Sequence, residues 1–201
     1  MLKQRLMKRL ALAGALLCFA LRMVAADSVP PVATKFLGLF DQLRAAEAAG
    51  GGPAHHVAFQ LSDGEINEYM RYSLHATPRP GLDSVSVKIF PQNYVSTLTV
   101  VDFDAVERWK PGTVPTLMKP VLNGKKTIWV DYRFHIVNGK ILFSVEKAYY
   151  EKLRLPAWLV EKMIEIVAAR QPEKYDTSKP LPIPFGLRNL WTNGNAIGGE
   201  N

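Results

Sequence analysis

The chain has 201 residues, with 25 basic and 18 acidic side chains and a formal net charge of +7. Residues 1–26 hold five of the basic residues and no acid, which leaves 20 basic against 18 acidic from Asp27 onward. The excess of positive charge belongs to one end, so a nucleic-acid role, which needs a basic face or stripe, loses its main support.

That end reads as an export signal. Lys3, Arg5, Lys8 and Arg9 precede an apolar run from Leu10 to Leu21, and Val24-Ala25-Ala26 offers a small-residue cleavage site before Asp27. The run is shorter than the roughly 20 apolar residues that a membrane span needs. Cys18 is the single cysteine, and Leu17 before it is not the small residue a lipobox wants. It is expected to leave with the signal, so the mature chain would carry no disulfide. The expected protein is exported, periplasmic or secreted, and its 175 remaining residues suit one domain with a real core.

From Pro30-Pro31, the residues Val32, Phe36, Leu39, Phe40 and Leu43 recur at helical spacing. Three glycines and Pro53 then end any helix, so residues 27–56 are expected as a helix and a Gly-rich hinge. An apolar stripe needs burial, and a sheet is the surface it would cover. Val57–Leu61 suggests a short strand. Ser62 and Glu65 have capping-box spacing, and Ile66, Tyr69, Met70 and Leu74 then line one side of a second helix. Val85, Val87 and Ile89 alternate with polar residues as a strand, "PQN" turns the chain, and a further strand is expected from Tyr94 to Phe103. Pro111, Pro115 and Pro120 break the segment from Asp104 to Gly124, apart from a helical turn at Ala105–Trp109.

The stretch "TIWVDYRFHIVNGKILFSVEKAYY" is a hairpin. Asn138-Gly139 suits a two-residue turn with positive φ at both positions. Pairing outward sets Ile136 opposite Ile141, Phe134 opposite Phe143, Tyr132 opposite Val145 and Ile128 opposite Tyr149 on an apolar face. The polar face then sets His135 with Leu142, Arg133 with Ser144 and Asp131 with Glu146. Pro156 opens a third helix bearing Trp158, Leu159, Met163, Ile166 and Val167, and an extended last strand is expected over Leu187–Ile197.

Nothing in the chain calls for catalysis: there is no nucleophile elbow, no His-Glu-x-x-His, no Cys-x-x-Cys and no phosphate-cradling glycine loop. His55-His56 lacks the further converging ligands that a metal site needs. Asp102 and Asp104 share one side of a strand and could face a cation, but a solvated strand end is the more ordinary account. Asp131 and Glu146 would form a charge cluster with Arg133. No catalytic residue, metal or cofactor is therefore expected. What the sequence does offer is a long dry sheet face opposed by helices carrying Met and aromatic residues. Such surfaces make ordinary core, and they also line apolar ligand cavities. The candidate ligand-binding residues are Tyr69 and Met70 on the second helix, Tyr132, Phe134, Phe143 and Val145 on the hairpin, and Met163 on the third helix.

The order of features resembles a known group. "LSDGEINEYMRYSL" is similar to the opening of the bacterial YceB-like and LmeA-like exported proteins. The strand ending in "VDFDAV", the segment "LPAWLVEKMIEIV" and the closing "IPFGLRNLWTNGNAI" follow in the same order. The resemblance covers roughly residues 57–197, with "GEIN" and "LPAWLVEKM" carrying most of it. That group is in turn similar to the tubular lipid-binding (TULIP) superfamily. The resemblance implies an α+β fold with a curved antiparallel sheet wrapped over amphipathic helices, residues 57–201 forming the ligand-binding domain. It implies a lipid or other apolar small molecule as partner, with a membrane surface or an envelope protein as a further one, and no catalytic residue to transfer. The helix at 32–49 and the proline-broken segment depart from it. A non-catalytic envelope module, whose groove takes a partner helix or its own first helix, is the rival expectation.

Overall fold

A computed structural model describes residues 29–50, 55–114, 116, 119–156, 160 and 180–201. The expected signal segment, Met163 and almost all of the third helix lie outside the described residues. The fold is α+β, with three α-helices and two antiparallel sheets among the described residues.

Helix α1 spans Pro31–Ala48, opened by a proline at its first position, where the missing N–H costs nothing. Strand β1 (Ala58–Ser62) runs straight into helix α2 (Asp63–Ala76). The capping box at this junction forms as the spacing predicts. The Ser62 hydroxyl accepts from the Glu65 N–H at 3.2 Å, and the Glu65 carboxylate accepts from the Ser62 N–H at 2.9 Å.

Strands β2 (Leu82–Phe90) and β3 (Tyr94–Asp102) form a hairpin, and helix α3 (Phe103–Trp109) follows at once. The strand expected to reach Phe103 stops one residue earlier, because Asp102 turns its carboxylate to cap the helix, accepting from the Ala105 N–H at 2.9 Å. The same contact replaces the cation reading of Asp102 and Asp104 with a helix cap.

Strands β4 (Lys125–Val137) and β5 (Lys140–Tyr150) form the long hairpin, with Asn138 at φ 52° and Gly139 at φ 68°. Its register is the expected one from Ile136–Ile141 to Tyr132–Val145 and then slips. A bulge leaves Glu146 unpaired, so Asp131 faces Lys147 and Ile128 faces Tyr150, not Glu146 and Tyr149 as the alternation predicts. The extra residue returns Ala148 to the dry face, opposite Val130, and stacks Tyr149 beside Trp129 on the other face. A bulge of this kind also bends the strand and raises its twist.

Short strands β6 (Leu153–Leu155) and β7 (Leu181–Pro182) pair with the two ends of β5. The six-stranded sheet has the order β2-β3-β4-β5-β6, with β7 also on β5. The chain then makes a 3-10 turn at Pro184–Gly186 and a hairpin of β8 (Asn189–Asn193) and β9 (Ala196–Glu200). This corrects the single strand expected over Leu187–Ile197: Asn193-Gly194 is a turn signal of the same kind as Asn138-Gly139, and the chain reverses there. The second sheet has the order β1-β9-β8.

Two asparagines join the parts. Asn67, the last residue of "GEIN", lies against the open edge of β2; its side chain donates to the Val87 carbonyl at 2.8 Å and accepts from the Val87 N–H at 2.7 Å. It satisfies two backbone groups that an edge strand would otherwise leave open. Asn93, in the β2–β3 turn, donates its N–H to the Thr192 hydroxyl at 2.7 Å and accepts from the Thr192 N–H at 2.9 Å. The two sheets meet at this point.

Candidate ligand cavity under the first helix

The dry face of the six-stranded sheet is covered by the protein's own helices. Val85, Val87 and Ile89 of β2, Val95 of β3, Phe134 of β4 and Ile141 of β5 share one core with Val32, Phe36, Phe40 and Leu43 of α1 and Ile66, Tyr69 and Met70 of α2. The α1 stripe predicted from spacing is the one that is buried.

The roof is aromatic. Phe36 stacks on Tyr69 with centroids 4.4 Å apart and planes within 2°. Phe40 meets Tyr69 edge-on at 5.9 Å and lies 5.7 Å from Phe185. Offset and edge-on pairs of this kind are the favourable aromatic geometries. Phe185 takes φ 60°, ψ 24°, a left-handed conformation that is unfavourable for a bulky side chain. Its ring is buried, and burial against Phe40 offsets that strain.

Anchorage of α1 is almost wholly apolar. Its N-cap, Pro30, offers no side-chain bond, its first turn has no acid and its last turn no base, so the helix ends gain nothing from charge. A Lys35–Glu65 ion pair tethers it to α2 at the surface.

Between roof and sheet lies a cavity of about 60 Å³. Its walls include Phe36 and Phe40 from above, Tyr69 and Met70 from α2, and Tyr132, Phe134 and Phe143 from the hairpin. Phe59 and Leu61 of β1, with Leu190 and Ile197 of the small sheet, close one side. Phe59 reaches its place because β9 carries Gly199, where a Cβ would come within 2.7 Å of the Phe59 ring.

Five of the seven candidate residues therefore share one cavity: Tyr69, Met70, Tyr132, Phe134 and Phe143. Val145 does not; it pairs with Tyr132 beside the bulge, half-buried, outside the lining. Met163 lies outside the described residues. Sequence reasoning missed Phe36 and Phe40 as cavity walls, although their helical spacing had already marked them for burial. It also missed Phe59 and Leu190, for which two short strands carry no comparable pattern.

Among the described residues, the only side-chain oxygens in the lining are the phenols of Tyr69 and Tyr132. Burial pushes both phenols up from their ordinary pKa, Tyr132 far more than Tyr69. The Tyr132 hydroxyl is buried and meets no hydrogen-bond partner among the described residues. The described lining residues carry no carboxylate, imidazole, amine or thiol, so what they can do is enclose and orient an apolar molecule.

The opposite face of the sheet is polar and aromatic. Trp129 donates its indole N–H to Asp131 at 2.7 Å and lies 2.6 Å from the Ser96 hydroxyl. Tyr94 is hydrogen-bonded to Asp131; burial first and this bond second push its phenol up to about 12. Arg133 lies over the Tyr94 ring, 5.4 Å from its centroid, and pairs with Glu146 at 3.4 Å. Of the predicted charge cluster the Arg133–Glu146 pair forms, whereas Asp131 lies across from Lys147 and is bonded by Trp129.

Among the described residues no three His, Cys, Asp or Glu side chains converge as a metal-binding set. The His56 ring instead lies 3.3 Å from the Asn201 carbonyl. No helix among the described residues is long and apolar enough to cross a membrane. The chain matches no family model, and comparison with curated proteins and with solved structures found no match.

Proposed function

We propose that this is an exported cell-envelope protein that holds a lipid or other apolar molecule between its six-stranded sheet and its helices. The reading extends to a sheet curved around its helices in the TULIP manner, and to a role in lipid transport or envelope maintenance. The observation that carries it is the cavity beneath α1, whose side-chain lining is apolar and aromatic apart from two phenol oxygens.

A volume of about 60 Å³ falls well below the roughly 300–1,000 Å³ of ordinary ligand pockets. A full acyl chain fits only if α1 lifts or slides. Helix ends that gain nothing from a capping side chain or a favourable charge leave α1 held mainly by its apolar stripe, and a lipid tail offers the sheet the same apolar chemistry.

The rival reading, an envelope module whose groove takes a partner helix, has one observation in its favour: the face is already occupied by a helix, α1, through Phe36 and Phe40. Native mass spectrometry of gently purified protein separates the two. Co-purified lipid is the result expected here, whereas a stoichiometric protein partner without lipid would replace the lipid reading with the module. Delipidated protein should also bind an apolar fluorophore, and loss of that binding in Phe134→Asp with the fold retained would place the fluorophore on the dry face.

A further inference from the structure

The cavity has one polar feature that its walls do not explain. Tyr132 extends from β4 among Phe134, Phe143 and Ile141, its ring edge-on to Phe143 at 5.9 Å, and its hydroxyl is buried without a partner among the described residues. A buried donor left unpaired is unfavourable, and buried polar groups are nearly always bonded to something.

We infer, resting on the lipid reading above, that the ligand carries a neutral hydrogen-bond acceptor, such as an acyl ester carbonyl, that accepts a hydrogen bond from the Tyr132 hydroxyl while its hydrocarbon chain lies along the dry face.

Three features of the site select that chemistry. Its volume would admit a water, but a buried water takes roughly three hydrogen bonds, and the lining side chains offer only one oxygen besides Tyr132, that of Tyr69. Among the described residues no Lys, Arg or His lines the cavity, so a carboxylate or phosphate brought to Tyr132 would be buried without a counter-charge from them. Burial also keeps the phenol protonated, so at neutral pH it is a donor awaiting an acceptor. One polar point on a long apolar surface suits an ester-bearing chain whose charged end, if it has one, stays outside.

The test uses the delipidated full chain, wild type and Tyr132→Phe, with three pyrene-tagged probes of equal length: a fatty-acid methyl ester, the free acid and an alkyl chain without oxygen. Wild type is expected to bind the ester more tightly than the ionised acid. Tyr132→Phe should weaken the ester about two- to tenfold, the range of one net hydrogen bond, and leave the alkyl probe unchanged. Its thermal midpoint should equal or exceed that of wild type, because an unpaired hydroxyl has been removed. Equal ester affinity in the two proteins, with the alkyl probe still bound, overturns this inference and spares the lipid reading. A lowered midpoint would mean that the hydroxyl is already bonded within the protein, and overturns it too. If wild type binds none of the probes, both readings fall.

Discussion

Tyr94 and Tyr132 stand on neighbouring strands of one sheet and point to opposite faces. Tyr94 pairs with Arg133 in the ladder, and Tyr132 pairs with Val95, the next residue along β3. On the outer face the Tyr94 hydroxyl belongs to a network with Asp131, Trp129 and Ser96, and a guanidinium covers its ring. On the inner face the Tyr132 hydroxyl sits among hydrocarbon with no partner among the described residues. The first arrangement is complete without any other molecule; the second is not. Polar groups on a half-exposed face can be satisfied by near neighbours and water, while on a buried face they need a dedicated partner, and the missing one at Tyr132 is the observation on which the inferred ligand acceptor rests.

The largest expected difference between the faces is in packing. Phe134 is 2% exposed and Trp129 is 45% exposed. Phe134→Ala should cost about 3–5 kcal/mol in chemical denaturation, the usual loss for a large core aromatic. A cost no larger than that of an outer-face substitution would mean that the dry face is loosely packed and already open.

Next comes the edge at which the dry face ends. Asn67→Ala removes both bonds to Val87 and should cost about 1–3 kcal/mol, because two part-buried backbone groups lose their partner. Hydrogen exchange should show the Val87 amide losing protection while the β4–β5 amides keep theirs. Protection lost equally across the sheet would show that Asn67 holds more than the edge.

A smaller loss is expected on the outer face. Trp129→Phe keeps an aromatic ring beside Tyr149 but takes the indole donor from Asp131. Urea denaturation should register about 0.5–1.5 kcal/mol, the range of one ordinary net hydrogen bond, because Trp129 is half exposed and water competes for the carboxylate. No loss at all would mean that water replaces the indole freely, and that the outer network is less complete than the inner face is incomplete.

The subtlest difference is one of pH. Folding raises the Tyr94 phenol from 10.0 to about 12, so its contribution to stability is fully present below pH 10 and is lost as pH rises through about 12. Burial raises the Tyr132 phenol too, and the same sign applies to it. Tyr94→Phe should therefore flatten part of the alkaline decline in stability, and Asp131→Asn should start the Tyr94 titration at lower pH by weakening the hydrogen bond that helps hold the proton. An alkaline decline unchanged by Tyr94→Phe would remove Tyr94 from this account.

One of the two motifs on which the resemblance rested, "GEIN", has a role in the fold. In "SDGEIN", Ser62 and Glu65 cap α2, Ile66 enters the core and Asn67 seals β2. Such a segment is conspicuous in a sequence because its neighbours along the chain define it. It specifies architecture, and the acceptor-bearing ligand inferred above would meet the chain elsewhere, at Tyr132.

What the sequence by itself determined was local. Asn138-Gly139 imposed its turn, the Ser62–Glu65 spacing imposed its cap, and alternation along β2 and β4 assigned side chains to faces, each through interactions within a few residues. Asn193-Gly194 was equally readable and divides the final strand in two. Only the tertiary structure decided the rest. The bulge at Glu146 reverses the alternation along β5, and no local pattern announces it, because the apolar and polar choices on both sides of it look regular. Asn67 could be known as a clamp only once β2 lay beside α2. Above all, the sequence marked the dry sheet face and the α1 stripe as surfaces needing cover and expected that stripe to lie on a sheet, but it did not say which side chains would meet across the contact. Apolar burial is non-directional, so which stripe meets which face is settled by the whole chain at once, and so is the small space left between them beside the Tyr132 hydroxyl.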